Sequence, residues 1–178
     1  MRIAYRVRQF WRAVFVSKEN NKLEQAQAQL TPAQWALFDQ LQPAEQAHAL
    51  RIYHLLVQQG DIQPDLLVAA LLHDVGKLRY PMNAVERAVV VVIKKLAPGL
   101  AQGWAELPEA GWEGASDWRK AFILAEHHPA WGAELASKVG VSALSETLIR
   151  YHQHAPFQGF EDKNGSLQYK LCVADNDL

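Results

Sequence analysis

The chain has 178 residues, enough for one domain with a sizeable core. Apolar residues make up 49%, charged residues 21%, and the net charge is −1. This is the balance of an ordinary globular protein, and it argues against one dominated by nucleic-acid binding, which carries a strong basic excess. A single cysteine, Cys172, excludes an intrachain disulfide and a thiolate zinc site, so a reducing, cytoplasmic setting is the simplest expectation.

The first eighteen residues are basic and aromatic, with no acidic residue before Glu19. As a helix they place Ile3, Val7, Phe10 and Val14 on one side and Arg8 and Arg12 on the other. A secretory signal would need an uninterrupted apolar core and a cleavage site, and neither is there. Residues 1–30 are therefore expected to be a helical extension docked on the domain. Lying on a membrane through residues 1–16 is the lesser alternative. No run reaches the roughly 18 apolar residues of a membrane span; the longest, Ala88 to Ile93, is halted by Lys94 and Lys95.

Helix follows helix from there, with almost no strand alternation. Thr31 caps a helix that has Pro32 in its first position and Gln34 completing a capping box. Pro43 opens the next, with Ala47, Leu50, His54 and Val57 along one face and His48 on the neighbouring stripe with Ile52 and Leu55. Gly60–Asp61 ends it, and Pro64 opens a third that runs into Leu71, Leu72, His73 and Asp74. A helix from about Asn83 to Leu96 precedes an irregular connection, Pro98 to Ser116, with at most a short helix. Further helices are predicted over Ser116–Glu126, Pro129–Lys138 and Ser142–His154. A polar loop, Phe157 to Gly165, leads to a last helix at about Ser166–Asp177. The pattern predicts a single all-α domain over residues 1–178, with its core at 43–177.

The segment Val68 to Lys77, VAALLHDVGK, places His73 and Asp74 at the end of an apolar helical run. Both are costly to bury unless hydrogen bonds or a metal ion compensate. Four more residues of ligand type recur on successive helices: His48 lies 25 residues before His73, His128 lies 24 before His152, and Asp175 follows 23 later. Side chains projecting inward from several helices are how bundles build metal sites. Imidazoles mixed with two carboxylates suit Fe, Mn, Co, Ni or Zn better than Ca. Six ligands exceed the needs of one tetrahedral ion, so the expectation is one or two ions, with Asp74 able to bridge. His54 and His127 read as ordinary core or surface histidines.

The order His48, His73–Asp74 within ALLHDVGK, and Asp175 within VAD resembles the HD-domain superfamily of metal-dependent phosphohydrolases, over roughly Pro43 to Asp177. The stretches EHHPAWGAELA around His128 and LIRYHQHAP around His152 are similar to the extra ligand helices of two binuclear subgroups. These are the HD-GYP cyclic-dinucleotide phosphodiesterases and the HD-type dinucleoside tetraphosphate hydrolases. Where HD-GYP proteins carry His–His–Glu, this chain has His152–Gln153–His154. Near their Gly-Tyr-Pro it has Phe157–Gln158–Gly159–Phe160, which argues against cyclic di-GMP hydrolysis. The resemblance implies an HD-type helical bundle in which His48, His73, Asp74 and Asp175 are core metal ligands and His128 and His152 complete a second site. The implied activity is hydrolysis of a small phosphorylated molecule, such as a nucleotide, by a water activated on the metal. Asp74 is then expected to orient that water or take its proton. Lys77, with Arg51 three residues after His48, is expected to hold the phosphate, and Arg79, Arg87, Lys94 and Lys95 could extend a cationic rim. A catalytically silent sensor or scaffold on the same fold is the competing expectation.

Overall fold

The computed structural model describes residues 23–153 and 163–176. The membrane contact considered for residues 1–16, and most of the expected N-terminal extension, lie outside the described residues. So does residues 157–162 of the expected polar loop.

Among the described residues the chain is helical throughout, with no strand. After a helical stretch at residues 23–29 come α1 (Pro32–Phe38), α2 (Pro43–Gln58) and α3 (Pro64–Leu72), then a 3-10 turn at Val75–Arg79. Next come α4 (Ala84–Leu96) and α5 (Pro98–Ala105), and a 3-10 segment at Trp112–Gly114 leads into α6 (Asp117–Lys138). The last two helices are α7 (Ala143–Tyr151) and α8 (Lys163–Asn176). Local chemistry sets most of the starts. Thr31 and Gln34 form the anticipated capping box, Asn83 and Glu86 form a second, and proline occupies an early position in α1, α2, α3 and α5. No described helix is long and apolar enough to cross a membrane.

Two apolar clusters result. The larger joins α1, α2, α3, α7 and α8, with Ile52, Leu56, Leu71, Leu72, Ile149 and Leu171 fully buried; each such side chain contributes about 1.5–3 kcal/mol. The smaller gathers α4, α5 and the first half of α6 around Val90, Ala105, Phe122 and Leu124. Helix α6 spans 22 residues, about 33 Å, and contributes to both clusters. His128 sits on it between Leu124 of the smaller cluster and Ala133 of the larger.

The structure departs from the sequence reading at four places. The helices expected on either side of His128–Pro129 are one continuous helix, with Pro129 inside it. Proline has no N–H to give the carbonyl four residues back, that of Ala125. Lys94 Nζ supplies a donor instead, 3.2 Å from Ala125 O. Lys94→Met is therefore expected to cost about 1 kcal/mol in the native chain but close to nothing in a Pro129→Ala background. Denaturant midpoints of the four proteins in that cycle check it, and equal costs in both backgrounds would contradict it.

On α2 the inward face is Glu45, Ala49, Ile52, Tyr53 and Leu56, whereas Ala47 and Val57 of the expected stripe are exposed. Both stripes are rich in apolar residues, and packing against α3 and α8 selects between them. Helix α3 stops at Leu72, with His73 as its C-cap, so His73 and Asp74 do not continue a helix as anticipated. Finally, α8 begins at Lys163, so residues 163–165 are helix rather than the end of a loop.

Candidate metal centre

His73 and His152 occupy equivalent positions as C-caps of α3 and α7. The last carbonyls of a helix have no partner within it. His73 Nδ1 donates to Ala70 O at 2.9 Å, and His152 Nδ1 donates to Ile149 O at 2.7 Å. Within α6, His128 Nδ1 donates likewise to Leu124 O at 3.0 Å. A carbonyl can only accept, so each Nδ1 must carry the proton. In the neutral ring that leaves Nε2 as a bare lone pair, the orientation that metal-binding histidines commonly have.

All six predicted ligands converge. Asp74 stands at the centre with its oxygens facing different rings. Oδ2 is 3.3 Å from His73 Nε2, while Oδ1 is 3.3 Å from His128 Nε2 and 4.0 Å from His152 Nε2. Asp175 Oδ1, brought in by α8, lies 2.8 Å from His48 Nε2 and 3.5 Å from His73 Nε2. Three overlapping triads form: His48–His73–Asp74, His73–His152–Asp175 and Asp74–His128–His152. Within each, the ligand atoms lie within 4.8 Å of one another. Any of the three could hold a metal ion, and a carboxylate shared between two triads is suited to bridging.

Burial separates this cluster from a surface ion-pair network. His73, Asp74, His128 and His152 are all at most 2% exposed. Among the described residues, Nε2 of His73 and Nε2 of His152 have no hydrogen-bond partner. Unpartnered buried nitrogens are costly, and a bound cation would satisfy both. The residues thus fit a transition metal of the kind expected from their nitrogen and oxygen donors.

The protonation pattern agrees. Burial pushes His73 down, but the negative charges of Asp74 and Asp175 outweigh it, raising its pKa to about 10. Burial pushes Asp74 up, yet positive charge on His73 and on Lys77 holds it well below the usual carboxylate range. Asp175 is likewise held low, against its burial, by the hydrogen bond from His48 and by positive charge on His73. His152 is pushed down to about 3 by burial, reinforced by positive charge on His73. With protons alone as counter-ions, the pair of carboxylates keeps one on His73. A metal must displace it, so about one proton per chain is expected to leave on loading at any pH between neutral and about 10. Apparent affinity then rises roughly tenfold per pH unit in that window. Titration calorimetry in buffers of different ionisation enthalpy reads the proton count; a value near zero would contradict the assignment.

Close backbone packing puts the two halves of the site in register. The 3-10 turn carrying Gly76 lies directly on α6. A Cβ at Gly76 would sit 2.0 Å from His128 O, and one at Gly132 would sit 3.1 Å from Gly76 N. Two missing side chains thus bring His73 and Asp74 up to His128. The tighter turn also settles Lys77. In a 3-10 turn residues i and i+3 eclipse, so Lys77 pairs with Asp74, Nζ to Oδ2 2.6 Å, rather than sharing a helix face with His73.

The predicted cations fare differently. Lys77 also meets the buried Glu45 at 3.3 Å, and Glu45 pairs in turn with Arg87. Arg51 is exposed. It lies about 135° around α2 from the middle of the inward face, so sharing a side with His48 does not bring it inward. Arg79 lies over the Trp131 ring, 4.4 Å from its centroid, and Lys95 is exposed. Two residues were missed by sequence reasoning. Glu45 looked like an ordinary first-turn acid of α2. Gln153, whose Nε2 is 3.4 Å from His128 Nε2, was weighed only as a departure from the His–His–Glu motif. His127, read as structural, hydrogen-bonds Ala105 O at 3.2 Å and stacks on Trp131.

No family model, curated protein or solved structure matches the chain.

Proposed function

We propose that the protein is a metal-dependent phosphohydrolase of the HD type, acting on a small phosphorylated molecule. The observation that carries this reading is the shared carboxylate of Asp74, set among the buried rings of His73, His128 and His152, whose Nδ1 atoms donate to backbone carbonyls, and lying behind a cationic cleft that Lys77 and His128 border. That cleft, about 300 Å³, is bordered by Lys77, Arg87, Lys94, His128 and Gln153. Divalent ions held by the cluster would supply Lewis acidity and a water ionised near neutral pH.

The chain's own residues account for the rest. Asp74 Oδ1, on the His128 side, orients the attacking water. Lys77 Nζ, bonded to Oδ2, holds this carboxylate ionised and places positive charge beside the phosphoryl oxygens. Arg87, fixed through Glu45, adds a second cation where charge builds in the transition state. Water's oxygen forms the new bond to phosphorus, the ester P–O bond breaks, and the leaving oxygen gains the proton that water gives up.

The test is turnover of a panel of phosphomonoesters, phosphodiesters and nucleotides by the full chain loaded with Mn, Fe, Co, Ni or Zn. Metal-dependent hydrolysis of at least one compound, lost in His73→Ala, is expected. A folded, metal-loaded protein inactive on every compound would overturn the proposal and favour a silent sensor or scaffold.

A further inference from the structure

The cleft beside the cluster has a shape that goes further. It runs between α4 and α6, and α4 presents Arg87, Val90, Val91 and Lys94 to it. Those positions recur at the i, i+3, i+4 and i+7 spacing of one helix face. A cation therefore stands at either end of an aliphatic strip, two turns or about 10.5 Å apart. Arg87 belongs to the metal end, because Glu45 joins it to Lys77 and so to Asp74. Lys94 is at the far end. Across the cleft lie Leu124, Ala125 and His128, so the middle is aliphatic on both sides.

The far cation has capacity to spare. A lysine ammonium has three donors; Ala125 O takes one, and Glu126 Oε2, 3.4 Å away and half-exposed, takes a second weakly. The described residues bordering the cleft comprise three cations and one carboxylate, Glu45; the ring among them is His128, a candidate metal ligand, and none is a Phe, Tyr or Trp on which a nucleobase would stack.

We infer that the substrate is an aliphatic phosphoester bearing a second anionic group. Its scissile phosphate sits at the metal cluster beside Lys77 and Arg87, its carbon chain lies over Val90 and Val91, and the second anion is paired with Lys94. This rests on the phosphohydrolase reading of the cluster and adds which esters it takes. The strip between the cations supplies apolar contact, while Lys94 discriminates by charge, since a substrate without the second anion leaves its third donor to water.

Binding of non-hydrolysable phosphonates to the manganese-loaded full chain tests it. The six-carbon α,ω-alkane bisphosphonate is expected to bind about tenfold tighter than the six-carbon monophosphonate. Shortening the bisphosphonate to two carbons should remove the advantage. Lys94→Met should bring the ratio of the two six-carbon affinities to about one, and Lys94→Arg should restore it. Equal affinities in the native protein, or a ratio that Lys94→Met leaves unchanged, would overturn the inference. Metal-dependent binding of the monophosphonate with no preference for a second anion removes this inference alone. Absence of metal-dependent binding by every phosphonate removes the phosphohydrolase reading and this one with it.

Discussion

Asp74→Asn is expected to abolish turnover and to lower metal affinity by more than the roughly 10–100-fold that follows loss of a residue merely supporting a ligand. The reason is its position. One carboxylate faces His73 through one oxygen, His128 and His152 through the other, and Lys77 besides. An amide keeps the shape but carries no charge, offers a metal one poor oxygen donor, and its N–H₂ would donate to an imidazole Nε2 and so occupy a lone pair that a metal needs. It also leaves Lys77 with Glu45 as its remaining acidic partner. His128→Ala removes a ligand from a single triad and is expected to weaken binding of one ion while sparing the other. Elemental analysis of both variants after dialysis, beside their turnover, checks the contrast. Asp74→Asn protein that retained native metal content and activity would show that the carboxylate is a spectator.

The second large effect is expected at a residue with no side chain. In Gly76→Ala the new methyl would lie 2.0 Å from His128 O and 2.7 Å from Gly132 N, both backbone atoms of α6. Neither can move without displacing the helix, so the cost reaches at least the upper end of the overpacking range, about 3 kcal/mol. For a chain of this size that is a fall of roughly 6–12 °C in melting temperature. Gly132→Ala meets neighbours no closer than 3.1 Å and is expected to cost less. Because displacement of the turn moves Asp74 away from His128, metal affinity should fall with stability in Gly76→Ala. A melting temperature within about 2 °C of native, with unchanged metal affinity, would contradict this account of the packing.

The six candidate ligands were legible because each is a residue type out of place in an apolar helix and because they recur at two-helix intervals. The helix starts were legible from Thr31, Asn83 and the early prolines, which act locally. What escaped was set by contacts between distant segments. Pro129 read as a helix start, since nothing near it in sequence replaces the lost N–H; the replacement, Lys94, comes from α4. The burial of Glu45 depends on Lys77 and Arg87, which lie 32 and 42 residues further along. The end of α3 at Leu72 was obscured because ALLHDVGK continues the apolar run. The contact of Gly76 with α6 is set by tertiary packing and leaves no mark in that segment of sequence. Arg51 shows the converse error: proximity on a helix wheel was taken for direction, whereas α2 turns a different stripe to the core.

The buried cluster around Asp74 is expected to be a metal centre. Elemental analysis of the purified full chain, before and after reloading with Mn, Fe, Co, Ni or Zn, tests it most directly. Two tightly held divalent ions per chain are predicted, one in each triad that shares the Asp74 carboxylate. A folded chain that retained none of these metals after reloading would contradict it.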